Sequence, residues 1–195
     1  SSRPLRLEHG NIGSQLIDWT LEHVVKCLVF YHPDDPAALR AEQDALLLEV
    51  WQACNKSGHE LLLEVILPEN GPDKDERHYH TMLEHFYQLG IKPDWWKLPP
   101  LSSASWQQIT ALIEREDPWS RGILILGLDA PSDKLRAGFA EAAAHPMIKG
   151  FAVGRTIFGQ PSRRWMQGEL SDEALIEEVK RNYLTLIGYW REARR

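Results

Sequence analysis

Cysteine is almost missing from this chain: Cys27 and Cys54 are the only two among 195 residues. One lies in an apolar run and the other on an expected helix, without metal-ligand spacing, so both are expected as free thiols of a reducing compartment. A block of positive charge is missing too. The 22 Lys and Arg are mixed with 28 Asp and Glu for a net charge of −6, which leaves no basic stripe for a phosphate backbone, and nucleic acid is not an expected partner. There is no apolar run long enough for a membrane span and no basic-then-apolar leader, so the expectation is a cytoplasmic chain with no membrane partner. A glycine-rich phosphate loop is also lacking where a dinucleotide-binding fold would need one, since "YHPDDP" (31–36) follows the first expected strand.

What the chain does contain is an alternation of short apolar runs with longer stretches of helical period. Strands are expected at "HVVKCLVFY" (23–31), "ELLLEVIL" (60–67), "DWWKLP" (94–99), "GILILGL" (122–128) and "KGFAVG" (149–154). Their nearly continuous apolar character suits parallel strands covered by helices. Between them, Leu39, Leu46, Leu47, Val50 and Trp51 mark a helix that stops at Gly58, and a second helix stops at Gly90. A third is expected to be capped by serines near 102–103 and to end before Pro118, and a fourth opens with Ser132 as its expected cap and halts at Pro146. A last helix is expected over about 172–192, behind "SDEA". No linker or internal repeat interrupts the series, which reads as a single domain over 1–195.

The expected fold class is therefore α/β, of the (β/α)8 TIM-barrel type. Five strands fall short of eight, and a complete barrel needs about 250 residues. The expectation is a portion running from about strand four to strand eight, with the first three strands absent and residues 1–20 an excursion from an earlier element.

Three ionisable residues interrupt the strands: Lys26, Glu64 and Lys97. In a parallel barrel the reactive groups come from several strands and point inward, so the three could meet. A structural lysine–glutamate pair is the plain reading, because a buried charge is costly without a partner. A triple allows more. A lysine amine attacks a carbonyl only when neutral, and a neighbouring cation or an apolar wall favours that form. Lys97 is the candidate nucleophile, with Trp95, Trp96 and Leu98 as its apolar setting, Glu64 the proton carrier and Lys26 the adjacent cation. Further on, "LILGLDAP" and "FAVGRTIF" end strands in glycine. In barrels the loops after strands seven and eight commonly hold phosphate. Gly127, Gly154 and Arg155 are the candidates for it, although a glycine–arginine pair is also common in ordinary surface loops.

Taken together, "KCLVFYHPDDP", "ELLLEVILP", "PDWWKLPP", "LGLDAP" and "GFAVGRTIFGQP" closely resemble the aldolase-like domain often fused behind the sugar kinase of bacterial inositol catabolism. More distantly they resemble the class I tagatose-bisphosphate aldolases. The resemblance runs from about Pro4 to Trp190. It implies a Schiff-base lysine at Lys97, a strand-five glutamate at Glu64, a strand-four lysine at Lys26, and substrate phosphate held at Gly127, Gly154 and Arg155. It implies a phosphorylated keto sugar acid, such as 2-deoxy-5-keto-gluconate 6-phosphate, split to dihydroxyacetone phosphate and malonate semialdehyde. It also implies an attached carbohydrate kinase as partner. The family draws an acidic residue from strand one, which this chain does not supply, and Asp129 stands where a small residue would suit a phosphate better.

Other residues have plainer readings. His32 with Pro33, Asp34 and Asp35 could mimic a metal cluster, but "HPDDP" also makes a sound turn with an aspartate capping the next helix. His78, His80 and His85 do not form a zinc-protease pattern and read as exposed helix residues. No metal and no cofactor are expected, and the eight tryptophans read mainly as core. The alternative to a lyase is a non-catalytic domain that binds a sugar phosphate and regulates an attached kinase. Self-association into a homo-oligomer is left open.

Overall fold

A computed structural model describes residues 3–7 and 10–195. Among the described residues five strands alternate with helices, and all five lie where the apolar runs place them: β1 (Val25–Phe30), β2 (Leu61–Ile66), β3 (Trp95–Leu98), β4 (Gly122–Leu126) and β5 (Ile148–Ala152). The helices are α1 (Ile12–Leu16), α2 (Ala37–Ser57), α3 (Arg77–Gln88), α4 (Ser103–Glu116), α5 (Ser132–Ala142), α6 (Arg155–Met166) and α7 (Asp172–Ala193). Among the described residues no helix is long and apolar enough to cross a membrane. The residues group into two compact units, one of 1–98 with 107–122 and the other of 99–106 with 123–195.

In the first unit β1, β2 and β3 pair in parallel, with Val25 opposite Leu61, Leu28 opposite Glu64 and Glu64 opposite Lys97. Side chains alternate between faces along each strand. Val25, Cys27 and Val29 are buried while Lys26, Leu28 and Phe30 are less so, and Trp96 and Leu98 are fully covered. Trp96 packs against α3: its ring stacks on Phe86, meets Tyr87 edge-on and donates its Nε1–H to the Tyr87 hydroxyl at 2.9 Å. The buried row is therefore the helix-covered face. The N-terminal ends of the strands are tied by polar contacts, with the Asp94 carboxylate accepting from the Leu61 amide at 2.8 Å and the Trp95 indole donating to Glu60 at 2.7 Å.

In the second unit β4 and β5 pair in parallel. Phe139 of α5 lies against Phe151 at 5.1 Å between ring centroids and edge-on to Trp190 of α7 at 5.5 Å. Arg136 joins α5 to α7 through Glu192 at 2.9 Å.

The helix ends follow the sequence in part. Gly58 adopts φ 81 at the end of α2, a left-handed conformation that glycine enters without the Cβ penalty. Ser171 caps α7 by accepting from the Ala174 amide, and the Ser102 hydroxyl accepts from the Ser105 amide. Ser132, by contrast, is the first residue of α5, whose N-cap is Pro131 and makes no side-chain cap bond. Asp35 does not cap α2 either: its carboxylate turns back to the His32 amide at 3.0 Å and pairs with Arg3. Two helices were not expected. α1 falls in the stretch read as an excursion. α6 carries Gly159 and Pro161, which by propensity argue against a helix interior but here lie in a segment that buries Ile157 and Pro161.

Both thiols are free and buried. Burial, the main cause, pushes Cys27 up to about 11 against a smaller opposing influence of Lys26, and pushes Cys54 up to about 12. Little thiolate exists at neutral pH, and thiolate is the reactive form. Labelling of either cysteine by iodoacetamide in the native protein should thus be slow and track unfolding; rapid labelling at low denaturant would contradict this burial.

Gly138 on α5 is required by close approach. A Cβ there would stand 2.5 Å from Cβ of Pro100. Gly138→Ala should lower stability by about 1–2 kcal/mol, because overpacking outweighs alanine's better helix propensity. Chemical denaturation measures it, and an alanine variant as stable as the parent would refute the contact.

Candidate active site

Lys26, Glu64 and Lys97 come together in the first unit. The two-residue alternation puts all three on the face of the sheet opposite the row that packs on α3. Glu64 and Lys97 are register partners on β2 and β3, and the Lys97 ammonium donates to Glu64 Oε2 at 3.1 Å. Lys26 lies opposite Leu62, one same-face step toward the strand start, yet its side chain reaches the same Oε2 at 2.7 Å. One carboxylate oxygen thus serves two cations.

Burial differs among the three. The Glu64 side chain is 8% exposed, that of Lys97 16% and that of Lys26 46%. Lys26 is the most exposed member of the cluster. Of the three residues expected to form the apolar setting of Lys97, only Trp95 shares its face. Trp96 and Leu98 point to the helix side, since strand alternation sends neighbours of a residue away from it. The Trp95 indole is itself anchored to Glu60, which also pairs with Arg121 at 2.7 Å. Glu60 was not singled out in the sequence, because it sits at a strand boundary where a charge is unremarkable.

The candidate phosphate residues lie in the second unit. Gly154 is the N-cap of α6 and Arg155 its first residue. Arg155 lines a groove of about 510 Å³ with Asp129, Pro131, Ser132, Thr156 and Arg163. The starts of α5 and α6 both border it, and helix starts carry partial positive charge. Asp129 is on the same groove wall and, with Leu128, holds a left-handed conformation (φ 62 and 47); an aspartate tolerates this better than a leucine. Gly127 and Gly154 also have packing reasons to be glycine. A Cβ at Gly127 would stand 2.8 Å from Val153 Cγ1, and one at Gly154 would stand 3.0 Å from the Phe158 ring. The Thr156 hydroxyl donates to the Ala130 carbonyl at 3.0 Å and so joins the start of α6 to the loop before α5 on the groove wall.

A second polar cluster joins His32, Asp73 and His78 in the first unit. His78 is half-buried rather than exposed, and its Nε2 meets the Asp73 carboxylate. Asp73 carried no signal in the sequence, lying in a polar loop; only the adjacency of the segments after two paired parallel strands brings it to His32.

These features define an α/β fold of the aldolase barrel type. The chain is similar to a fructose-bisphosphate aldolase from Plasmodium falciparum, solved in complex with TRAP and a small-molecule inhibitor, with a TM-score of 0.52 and 13% identity. The match covers 88% of this chain and 55% of that one, so this chain spans about half the length of the solved relative. No curated protein matches. The chain belongs to the family described as "Uncharacterized protein conserved in bacteria (DUF2090)", whose pattern it matches over residues 1–194.

The shared carboxylate makes a coupling prediction. Glu64→Leu should destabilise the protein by about 3 kcal/mol, because it strands a mostly buried ammonium, and Lys97→Met in the same chain should restore much of the loss. Additive losses in the double variant, measured by urea unfolding, would mean that the two residues do not interact.

Proposed function

We propose that this chain carries the Schiff-base centre of a class I, carbon–carbon lyase acting on a phosphorylated keto sugar or sugar acid. The observation that carries the reading is the Lys97–Glu64–Lys26 cluster on the sheet face opposite α3, with Lys97 and Glu64 in register and 3.1 Å apart. A protein with no covalent chemistry to perform has little need of a mostly covered amine beside Trp95 on that face.

In this mechanism Glu64 takes a proton from the Lys97 ammonium, and the freed amine attacks the substrate carbonyl carbon to form a carbinolamine. Glu64 returns the proton to the carbinolamine hydroxyl, which leaves as water, and the nitrogen becomes an iminium. Glu64, a carboxylate again, takes the proton of the hydroxyl one carbon beyond the bond that breaks, and the electron pair of that carbon–carbon bond passes to the iminium, which yields an aldehyde and an enamine. Return of the proton to the enamine carbon and addition of water then release the ketone and free Lys97. Lys26, paired with the same oxygen at 2.7 Å, is the counter-ion of Glu64 whenever Glu64 is a carboxylate. Substrate phosphate is assigned to Arg155 with the backbone at Gly127 and Gly154, and 2-deoxy-5-keto-gluconate 6-phosphate is the substrate that fits this reading, in inositol catabolism in the cytoplasm. We further propose that preceding strands complete the barrel and that a carbohydrate kinase accompanies it.

A second reading is supported by the Glu64 contacts themselves: with both lysines satisfied by one carboxylate, the cluster also suits a structural network in a sugar-phosphate-sensing domain.

The deciding experiment is borohydride reduction in the presence of dihydroxyacetone phosphate, with peptide mass mapping, on this chain and on a polypeptide extended upstream to a whole barrel. The lyase reading expects a stable adduct on Lys97 and its loss in Lys97→Met. A whole barrel that binds sugar phosphate by calorimetry yet forms no adduct would end the lyase reading in favour of the sensing one.

A further inference from the structure

The turn after β1 and the loop after β2 bring together three metal-type donors that the proposed lyase chemistry does not use. His32, directly beyond β1, is fully buried. Asp73 stands in the loop before α3, and His78 is the second residue of α3. One donor atom from each lies within 4.8 Å of the others. The Asp73 Oδ1 atom is 3.6 Å from His32 Nε2 and 2.5 Å from His78 Nε2. We propose that His32, Asp73 and His78 bind a divalent transition-metal cation, zinc by the character of the donors.

Two of the three donor separations can be set against what such an ion requires. Zinc bonds to nitrogen and carboxylate oxygen are about 2.0–2.2 Å, so tetrahedral donors stand about 3.3 Å apart. The His32–Asp73 separation already fits. His78 and Asp73 are hydrogen-bonded to each other; a cation would take the place of the shared proton and set the two donor atoms about 3.3 Å apart. Asp73 can yield, since its side chain is 64% exposed and lies in a loop. The same exposure gives the ion a path in and leaves the fourth coordination position open to water beside the three protein donors, unlike a closed structural site. The bonds would fasten the β2–α3 loop to the end of β1.

His32 sets the condition for binding. Its Nδ1 accepts the Asp34 amide at 3.1 Å, and its Nε2 donates to the Asp73 carbonyl at 3.2 Å. For Nε2 to ligate, the ring proton must move to Nδ1, where the Asp34 amide would oppose it. Ligation through Nε2 therefore requires the exposed turn at Asp34 to shift so that its amide leaves Nδ1 and its carboxylate, with Oδ2 now 4.0 Å from Nδ1, takes the amide's place and accepts the new N–H. This is the carboxylate–histidine–metal relay that orients ligating imidazoles. Asp34 is thus a positioning residue that does not touch the ion.

The test uses the full chain, untagged and freed of metal, titrated with Zn²⁺ against a chromophoric competitor and with Co²⁺ by visible absorption. One equivalent is expected, with X-ray absorption showing two imidazoles and a carboxylate oxygen. His78→Gln and Asp73→Asn, both accessible positions, should each weaken binding at least 100-fold while the metal-free thermal midpoint stays put. Asp34→Ala should weaken it about 10–100-fold and leave the number of imidazole ligands at two. His32→Gln is the less useful variant because the site is buried. The proposal is overturned if no stoichiometric Zn²⁺ binds, or if a His78→Gln, Asp73→Asn double variant binds it as tightly as the parent.

Discussion

A parallel strand sends successive side chains to opposite faces, and the first unit depends on that alternation. Cys27, Leu63 and Trp96 form one row across β1, β2 and β3, and Trp96 fits against Phe86 and Tyr87 of α3. Burying such a row supplies most of the favourable free energy of folding, and a shift of one residue in register would drive it to the wrong face. The opposite row is then free to differ. It carries Leu28, Glu64 and Lys97, with Lys26 and Trp95 one same-face step toward the strand starts.

That second row can hold charge only because the charges meet. Glu64 is the most buried of the three and has two cations on a single oxygen. A carboxylate so placed without them would be costly in a medium that cannot solvate it. The contact that satisfies Glu64 is also the one that the proposed lyase chemistry would use. The aromatic neighbours divide by the same rule: Trp96 belongs to the helix-covered face, and Trp95 is left to line the charged one.

The loops beyond the strands follow from the pairing. Because β1 and β2 run side by side in the same direction, the segments that leave them emerge together. His32 and the Asp73–His78 segment meet for that reason, although 41 residues separate His32 from Asp73. In the second unit, the loops after β4 and β5 meet through Thr156 and Ala130 in the same way, and they border the groove lined by Arg155 and Asp129.

Much of this was legible in the order of residues. Near-continuous apolar runs located every strand, Gly58 and Gly90 located two helix ends, and Lys26, Glu64 and Lys97 stood out because a charge inside an apolar run is expensive. Segment α6 was not legible, since Gly159 and Pro161 disguise a helix whose burial of Ile157 and Pro161 outweighs weak intrinsic propensity. Nor could local pattern tell that Asp35 turns back to His32 instead of capping α2. Periodicity and side-chain chemistry act over a few residues, so the sequence by itself determined which segments are strands, which are helices and where charge interrupts them. Register and the paths of loops act over tens of residues. Only the tertiary structure decided that Lys26 reaches Glu64 from the neighbouring row, that Trp96 turns away from Lys97, and that Asp73 lies between two histidines.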